Sequence, residues 1–273
     1  MRIVHLSDLH FGHHDPVLAE GLAGDVLAQE PTLVVVSGDF TQRGTRQEFE
    51  QAQAFLRLLT VPVFSVPGNH DVPGLDIVQR LFDPYRLYRH FISDTLEPFV
   101  EIDGVAIAGI KTARRARFEL NWAHGTISRA QLERLDAVFR QASPKAVRIV
   151  VAHHPLLEPE ATTQVRMEPV RRASAALRAF HKMGVRAVLS GHFHLSYVRR
   201  HAHQTAEGVP PGPRTAAAVP ILVVQASSTI STRLRGEPNA YNVIDIQDGQ
   251  LSVAVREQRA SRWITREEIS ARS

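Results

Sequence analysis

The chain alternates between short apolar runs and longer stretches in which apolar residues recur every three or four positions, the two periods that separate strands from amphipathic helices. "RIVHLSD", residues 2–8, reads as a strand. "PVLAEGLAGDVLAQE" reads as a helix, with Val17, Leu18, Leu22, Val26 and Leu27 at helical spacing and Pro16 suited to its first turn. "TLVVVSGD" is a continuous apolar strand of the kind buried on both faces. "TRQEFEQAQAFLRLL" is a helix with Phe49, Ala52, Phe55, Leu56 and Leu59 inward, and "VPVFSVPGNHD" is the next strand. After an irregular, partly helical stretch at 75–97, "FVEIDGVAIAGIK" predicts a hairpin turning at Asp103-Gly104. "SRAQLERLDAVFRQ" is an amphipathic helix that Ser128 can cap, and "AVRIVVAHHP" and "VRAVLSGHFH" are strands separated by a helix near 169–183. "ILVVQAS", "YNVIDIQDGQLSVAV" and "RWITRE" read as a terminal β meander, with Asp248-Gly249 its clearest turn. The Pro-, Gly- and Ala-rich stretch 201–220 lacks periodicity and reads as an exposed loop. With no internal repeat and no separating linker, the expectation for residues 1–273 is one α/β domain.

Composition narrows the function classes. At 44% hydrophobic and 22% charged, the chain has the make-up of an ordinary soluble globular protein. No apolar run approaches the roughly 18 residues that span a bilayer. "MRIVHLSDLH" turns polar too soon for a signal peptide, so the expected location is the cytoplasm. The absence of cysteine excludes disulfides, thiolate metal sites and cysteine nucleophiles, leaving His, Asp, Glu or Asn to hold any metal. The net charge of +4 is spread over scattered arginines, the densest group being "ARRARF" at 113–118, which reads as a solvated face. Without a basic stripe interleaved with aromatics, nucleic acid is an unlikely partner.

The chemistry lies where the strands stop. Asp8 and His10 follow the first strand, Asp39 the second, Asn69 and His70 the third, His153 follows "RIVVA", and His192 and His194 follow "AVLSG". "PGNHD" by itself is equally well a turn in which Asn69 and Asp71 bond their own backbone. Five apolar strands ending in polar groups are a different matter, because loops at the C-terminal ends of parallel strands are where α/β proteins bind ligands. In an extended segment, Asp-x-His and His-x-His put both side chains on one side. Carboxylates with imidazoles and no thiol suit Mn, Fe, Co or Zn better than Ca or Mg. The number of ligands exceeds what one tetrahedral ion needs, which implies two.

"DLH", "GDFTQRG", "GNHD", "AHHP" and "GHFH", in that order, closely resemble the signature of the calcineurin-like metallophosphoesterase superfamily, nearest its bacterial class III cyclic-nucleotide phosphodiesterase-like group. The resemblance covers roughly residues 1–195. It implies a two-sheet sandwich flanked by helices, whose second sheet the remaining strands complete, with a metal site at the strand ends. It further implies that Asp8, His10 and His194 bind one divalent ion, that Asn69, His153 and His192 bind another, and that Asp39 bridges them. His153 rather than His154 is the expected ligand, since the family uses the first histidine of "HHP" and alternation turns neighbours apart. His70 resembles the catalytic histidine that protonates the leaving oxygen or stabilises the developing charge, with Asp71 orienting its ring and favouring its protonated form. Two such ions lower the pKa of a bridging water and clamp the phosphoryl oxygens during in-line displacement.

The activity that follows is phosphodiester hydrolysis of a small phosphate ester, a nucleotide being favoured. Alternatives are a phospholipid-headgroup or nucleotide-sugar phosphodiesterase, a phosphomonoesterase, a nuclease and a non-enzymatic scaffold. Arg43 and His124 are candidate substrate contacts. His5 reads as a core histidine, while His13, His14, His201 and His203 read as loop residues. "GIKTARRARFE" stands where many cyclic-nucleotide relatives carry Asp-Ser, which leaves the substrate open. Homo-oligomerisation through the terminal strands or the 201–220 loop is compatible with the sequence.

Overall fold

Apolar runs become central strands here because both of their faces are covered. In chain order the elements are β1 (Arg2–Leu6), α1 (Pro16–Ala28), β2 (Leu33–Val36), α2 (Arg46–Leu56), β3 (Val63–Ser65), α3 (Ile77–Phe82), α4 (Arg86–Phe91), β4 (Phe99–Ile102), β5 (Val105–Ile110), α5 (Arg129–Gln141), β6 (Val147–Ala152), α6 (Ala173–Lys182), β7 (Val185–Ser190), β8 (Tyr197–His201), β9 (Ile221–Gln225), β10 (Ala240–Gln247), β11 (Gln250–Arg259) and β12 (Arg262–Ala271). The computed structural model describes residues 1–74, 76–114, 125–159, 168–202, 219–260 and 262–271.

The strands form two six-stranded sheets, β12-β11-β10-β1-β2-β3 and β4-β5-β6-β7-β9-β8. Period-two alternation divides each strand between two layers. Ile3, Val35, Ile107, Val151, Leu189, Val224 and Ile244 form a cluster that joins the sheets. Val4, Leu6, Val34 and Val36 turn the other way, onto Leu22 and Val26 of α1 and Phe49, Ala52 and Phe55 of α2. Val150, Ala152 and Val188 meet Leu135 and Phe139 of α5 and Leu177 and Phe180 of α6. The architecture is a helix-flanked, two-sheet α/β sandwich. Parallel pairing of β1 with β2, β2 with β3, and β6 with β7 brings the C-terminal ends of these strands to the same end of each sheet.

Local chemistry sets the element ends. Thr45 and Glu48 form a capping box on α2, and Ser128 and Gln131 form one on α5, each worth about 1 kcal/mol. Asp103 and Gly104 both take positive φ, 50° and 74°, as the expected hairpin turn requires, and Asp248 and Gly249 do the same at 50° and 75°.

Three sequence expectations change. β9 leaves the terminal meander and pairs parallel with β7 in the second sheet, because an apolar run carries no information about its partner. β10, β11 and β12 therefore extend the first sheet through β1 rather than completing the second, and β8, which has no clear periodicity, forms that sheet's edge. Val17 is 71% exposed, since it lies about 140° around α1 from Leu22.

Candidate metal centre

Loops leaving β1, β2 and β3 of one sheet and β6 and β7 of the other bring Asp8, His10, Asp39, Asn69, His70, His153, His192 and His194 together. Nε2 of His10 and Nε2 of His194 lie 3.2 Å apart, and Asp8 Oδ1 is 3.2 Å from His194 Nε2 and 3.7 Å from His10 Nε2. Asp39 Oδ2 lies 3.7 Å from His10 Nε2 and 3.2 Å from His153 Nε2, so this one carboxylate reaches both halves of the cluster. Asn69 Oδ1 is 3.1 Å from His153 Nε2, and the His70 ring stands edge-on to His10 at 4.8 Å.

Alternation along extended chain does not create this convergence. Asp8, His10, Asp39, His192 and His194 all have left-handed backbone, with φ of 53°, 49°, 55°, 76° and 57°. Left-handed non-glycine residues cost of order 1–3 kcal/mol each and persist only where surrounding contacts impose them. Around Asp8, His10 and Asp39 those contacts are backbone bonds between the first two loops, from Asp8 N to Gly38 O at 3.1 Å, His10 N to Asp39 O at 3.0 Å and Phe11 N to Phe40 O at 2.9 Å, while His192 N donates to Asp8 Oδ2 at 2.8 Å. Two glycines permit the close approach: a Cβ at Gly68 would collide with the Asp39 carboxylate, and one at Gly191 with Ser7 Oγ and Asp8 Oδ2.

The outer atoms of the rings are held by main-chain carbonyls. Nδ1 of His153 donates to Ser37 O at 2.8 Å, Nδ1 of His194 to Arg233 O at 2.8 Å, and Nδ1 of His70 to Gln42 O at 2.7 Å. A proton fixed on Nδ1 leaves Nε2 of the neutral ring with its lone pair directed into the cluster, the tautomer a metal ligand needs. Asp8 Oδ2 accepts from Ser7 Oγ and from His192 N, whereas among the described residues buried Oδ1 has no hydrogen-bond partner and neither has Nδ1 of His10 or His192.

The electrostatics fit the same occupant. Burial alone would raise Asp8 and Asp39, but the His194 ring beside one and the His153 ring beside the other hold both carboxyls well below the usual range. Burial opposes the charging of His153, yet the charge and hydrogen bond of Asp39 push it up to about 9; His194 is raised against burial by Asp8. Burial lowers His10, and burial with the adjacent His153 charge pushes His192 down to about 3. Two buried carboxylates thus draw positive charge onto the nearest imidazoles. An orphaned carboxylate oxygen, facing imidazole nitrogens and no thiol are a donor set that fits borderline divalent cations.

Two expected roles change. Asp71 does not serve as the orienting partner of His70: its Oδ1 accepts from Thr41 N at 3.0 Å and Thr41 Oγ1 at 3.1 Å, its Oδ2 accepts from Gly68 N at 2.8 Å, and the Gln42 carbonyl orients the imidazole instead. Burial and the Asp39 charge push Asp71 up to about 7, against the pull of its bonds to Gly68 and Thr41. His154 is not turned clear of the cluster. Its Nδ1 is bonded to Thr112 Oγ1 at 2.7 Å, but its ring lies 4.5 Å from that of His192. Arg43 is exposed on the Gln42 loop, where its backbone N–H donates to Glu48 at 2.9 Å. His124, Arg115, Arg117, His203 and most of the 201–220 stretch lie outside the described residues.

Sequence reasoning missed the segment after β9. Ser228 Oγ donates to Asp8 O at 2.8 Å, Thr229 Oγ1 accepts from Ser7 N at 3.1 Å, and Arg233 supplies the carbonyl behind His194. The run "ASSTIS" directly after an apolar strand was the available signal.

The chain resembles known proteins along much of its length. It is 26% identical over 130 residues to a probable glycerophosphodiester phosphodiesterase GpdQ of Arcobacter nitrofigilis, a match covering 48% of this chain but only 44% of that protein. It is 25% identical over 197 residues to a probable cyclic nucleotide phosphodiesterase of a Synechococcus species, covering 70% of this chain and 69% of the relative. In structure it superimposes on a dimetal phosphatase from Danio rerio with a TM-score of 0.67 at 14% identity, covering 99% of this chain and 98% of the other. Residues 1–196 match the calcineurin-like phosphoesterases, and the chain belongs to that family.

Proposed function

We propose that the protein hydrolyses phosphodiesters at a centre of two divalent ions, one held by Asp8, His10 and His194, the other by Asn69, His153 and His192, with Asp39 shared between them. The observation that carries this reading is the position of Asp39, whose Oδ2 faces both His10 and His153 while the remaining donors divide between the two sides. Divalent ions there supply Lewis-acid activation of water and neutralise phosphoryl oxygens. The chain's own residues do the rest. His70, its Nδ1–H fixed on the Gln42 carbonyl, presents Nε2, which in the imidazolium form carries the second proton and hands it to the leaving oxygen. The Asp71 bonds to Thr41 and Gly68 lock the loop that carries Asn69 and His70.

A diester is favoured because both relatives above are named as phosphodiesterases, one for glycerophosphodiesters and one for cyclic nucleotides. A nucleotide is the substrate class we propose, within one catalytic domain working in the cytoplasm; no helix among the described residues is long and apolar enough to cross a membrane. The test is turnover of bis(p-nitrophenyl) phosphate against p-nitrophenyl phosphate by metal-stripped protein reloaded with Mn²⁺. Faster cleavage of the diester supports the reading, and faster cleavage of the monoester overturns the diester assignment.

A further inference from the structure

His5 interrupts an apolar layer. It lies two residues after Ile3 on the face of β1 that packs between the sheets, opposite Val35 of β2 and Asn242 of β10, in a layer built mostly of aliphatic side chains such as Ile3 and Ile244. Fully buried Ser37 and Asn242 share that position with it. The three polar side chains form a chain of hydrogen bonds with Ser7 that ends on Asp8: Asn242 Nδ2 to His5 Nδ1 at 3.3 Å, His5 Nε2 to Ser37 Oγ at 2.9 Å, Ser37 Oγ to Ser7 Oγ at 2.8 Å and Ser7 Oγ to Asp8 Oδ2 at 2.6 Å.

The polarity of this chain is fixed from both ends. Asn242 Nδ2 also donates to Gln225 O at 3.3 Å, so the amide nitrogen faces His5 and the ring accepts on Nδ1, leaving its proton on Nε2. Burial, which pushes His5 down to about 3, keeps the ring neutral with that single N–H. At the other end a carboxylate oxygen accepts only. Ser7 must therefore donate to Asp8 and accept from Ser37, and Ser37, having given its one proton to Ser7, must accept from His5.

With His192 N donating at 2.8 Å as well, Oδ2 is saturated and Oδ1 remains, facing His194 and His10. We propose that His5 is a positioning residue for the metal centre: through Ser37 and Ser7 it fixes the Asp8 carboxylate with Oδ1 toward the cluster and so sets the affinity of the Asp8–His10–His194 half for its ion. The inference rests on the two-ion reading above. It differs from a role in packing alone, which an aliphatic side chain would fill equally well, and it places the effect on one ion rather than on both.

The test is Mn²⁺ binding, followed by the free-ion electron paramagnetic resonance signal, for wild type and for Ser37→Ala, His5→Leu, His5→Gln and the Ser37→Ala/His5→Leu double variant, with the thermal midpoint of each metal-free protein alongside. Ser37→Ala removes one oxygen and keeps the fold testable should His5→Leu fail to fold. The expected result is a 10- to 100-fold loss of affinity for one ion in Ser37→Ala and in His5→Leu, with the other unchanged within about threefold. The double variant is expected to be no weaker than the worse single one, because both changes cut the same chain. His5→Gln, whose amide can donate from near the position of Nε2, is expected to bind within about threefold of wild type. Unchanged affinities accompanied only by a lower thermal midpoint, or equal weakening of both ions, overturn the proposal. Wild-type protein that takes up no Mn²⁺ overturns the metal reading itself.

Discussion

Metal uptake should expel a proton from His153. In the metal-free protein this ring is fully buried 3.2 Å from the Asp39 carboxylate, and although burial opposes its charging, the Asp39 charge and hydrogen bond push it up to about 9. A ligand nitrogen must be neutral, so a cation binding at Nε2 displaces that proton. At pH 7 the displacement spans about two pH units, a cost of about 2.7 kcal/mol or roughly 100-fold in affinity. The apparent affinity of the ion beside His153 is therefore expected to rise about tenfold per pH unit from pH 7 to 9 and then to level off. Calorimetric titration of Mn²⁺ at pH 7 in two buffers of different ionisation enthalpy gives the proton count, expected to be close to one from His153 with a further contribution from His194, which Asp8 raises against burial. The same shift fixes the sign for stability. A histidine raised in the folded state stabilises the metal-free protein fully below about pH 6.5, and that contribution, about 3 kcal/mol, is lost as pH rises through 9. Asp39, lowered in the folded state, adds stability that is lost in acid as pH falls below the usual carboxylate range. A metal affinity independent of pH between 7 and 9, with no proton released, would refute the reasoning.

Other perturbations separate positioning from chemistry. Gly191→Ala is expected to lower stability by about 3 kcal/mol and to abolish tight metal binding, because the new methyl group meets Ser7 Oγ and Asp8 Oδ2; urea unfolding and Mn²⁺ titration read the two effects. His70→Asn is expected to retain both ions while kcat for bis(p-nitrophenyl) phosphate falls by about 10²- to 10⁴-fold; loss of an ion instead would make His70 a ligand. Phe49→Ala, in the core layer between α2 and the first sheet, is expected to cost about 3–5 kcal/mol in urea unfolding with kcat unchanged, since the ring is fully buried and packed on Phe91.

Much of the site is legible in the sequence because its chemistry sits at strand ends that the apolar runs announce. "IVHLSDLH" and "AVLSGHFH" each place two candidate ligands just beyond a strand. What holds these residues in place is less visible. The carbonyls of Ser37, Gln42 and Arg233 orient His153, His70 and His194, and a backbone acceptor is the same atom in every residue, so no residue type marks it. The left-handed backbone at Asp8 and His192 depends on contacts between loops distant in sequence, and nothing in "SGH" marks Gly191 as the place where Ser7 and Asp8 leave no room for a side chain. Asp71 shows the limit of adjacency: next to His70 in sequence, it bonds Thr41, thirty residues earlier. In the fold, the strands whose order follows the chain were readable. The partner of β9 was not, because strand composition specifies burial rather than neighbours.

The central claim, that this cluster hydrolyses phosphate esters through bound divalent ions, is tested most directly by the turnover of bis(p-nitrophenyl) phosphate in metal-stripped, Mn²⁺-reloaded and Mn²⁺-reloaded Asp39→Asn protein, with circular dichroism to verify the fold. No turnover is expected when the protein is stripped, turnover on reloading, and its loss in the folded Asp39→Asn variant. Full activity in that variant, or in the stripped protein, would contradict the claim.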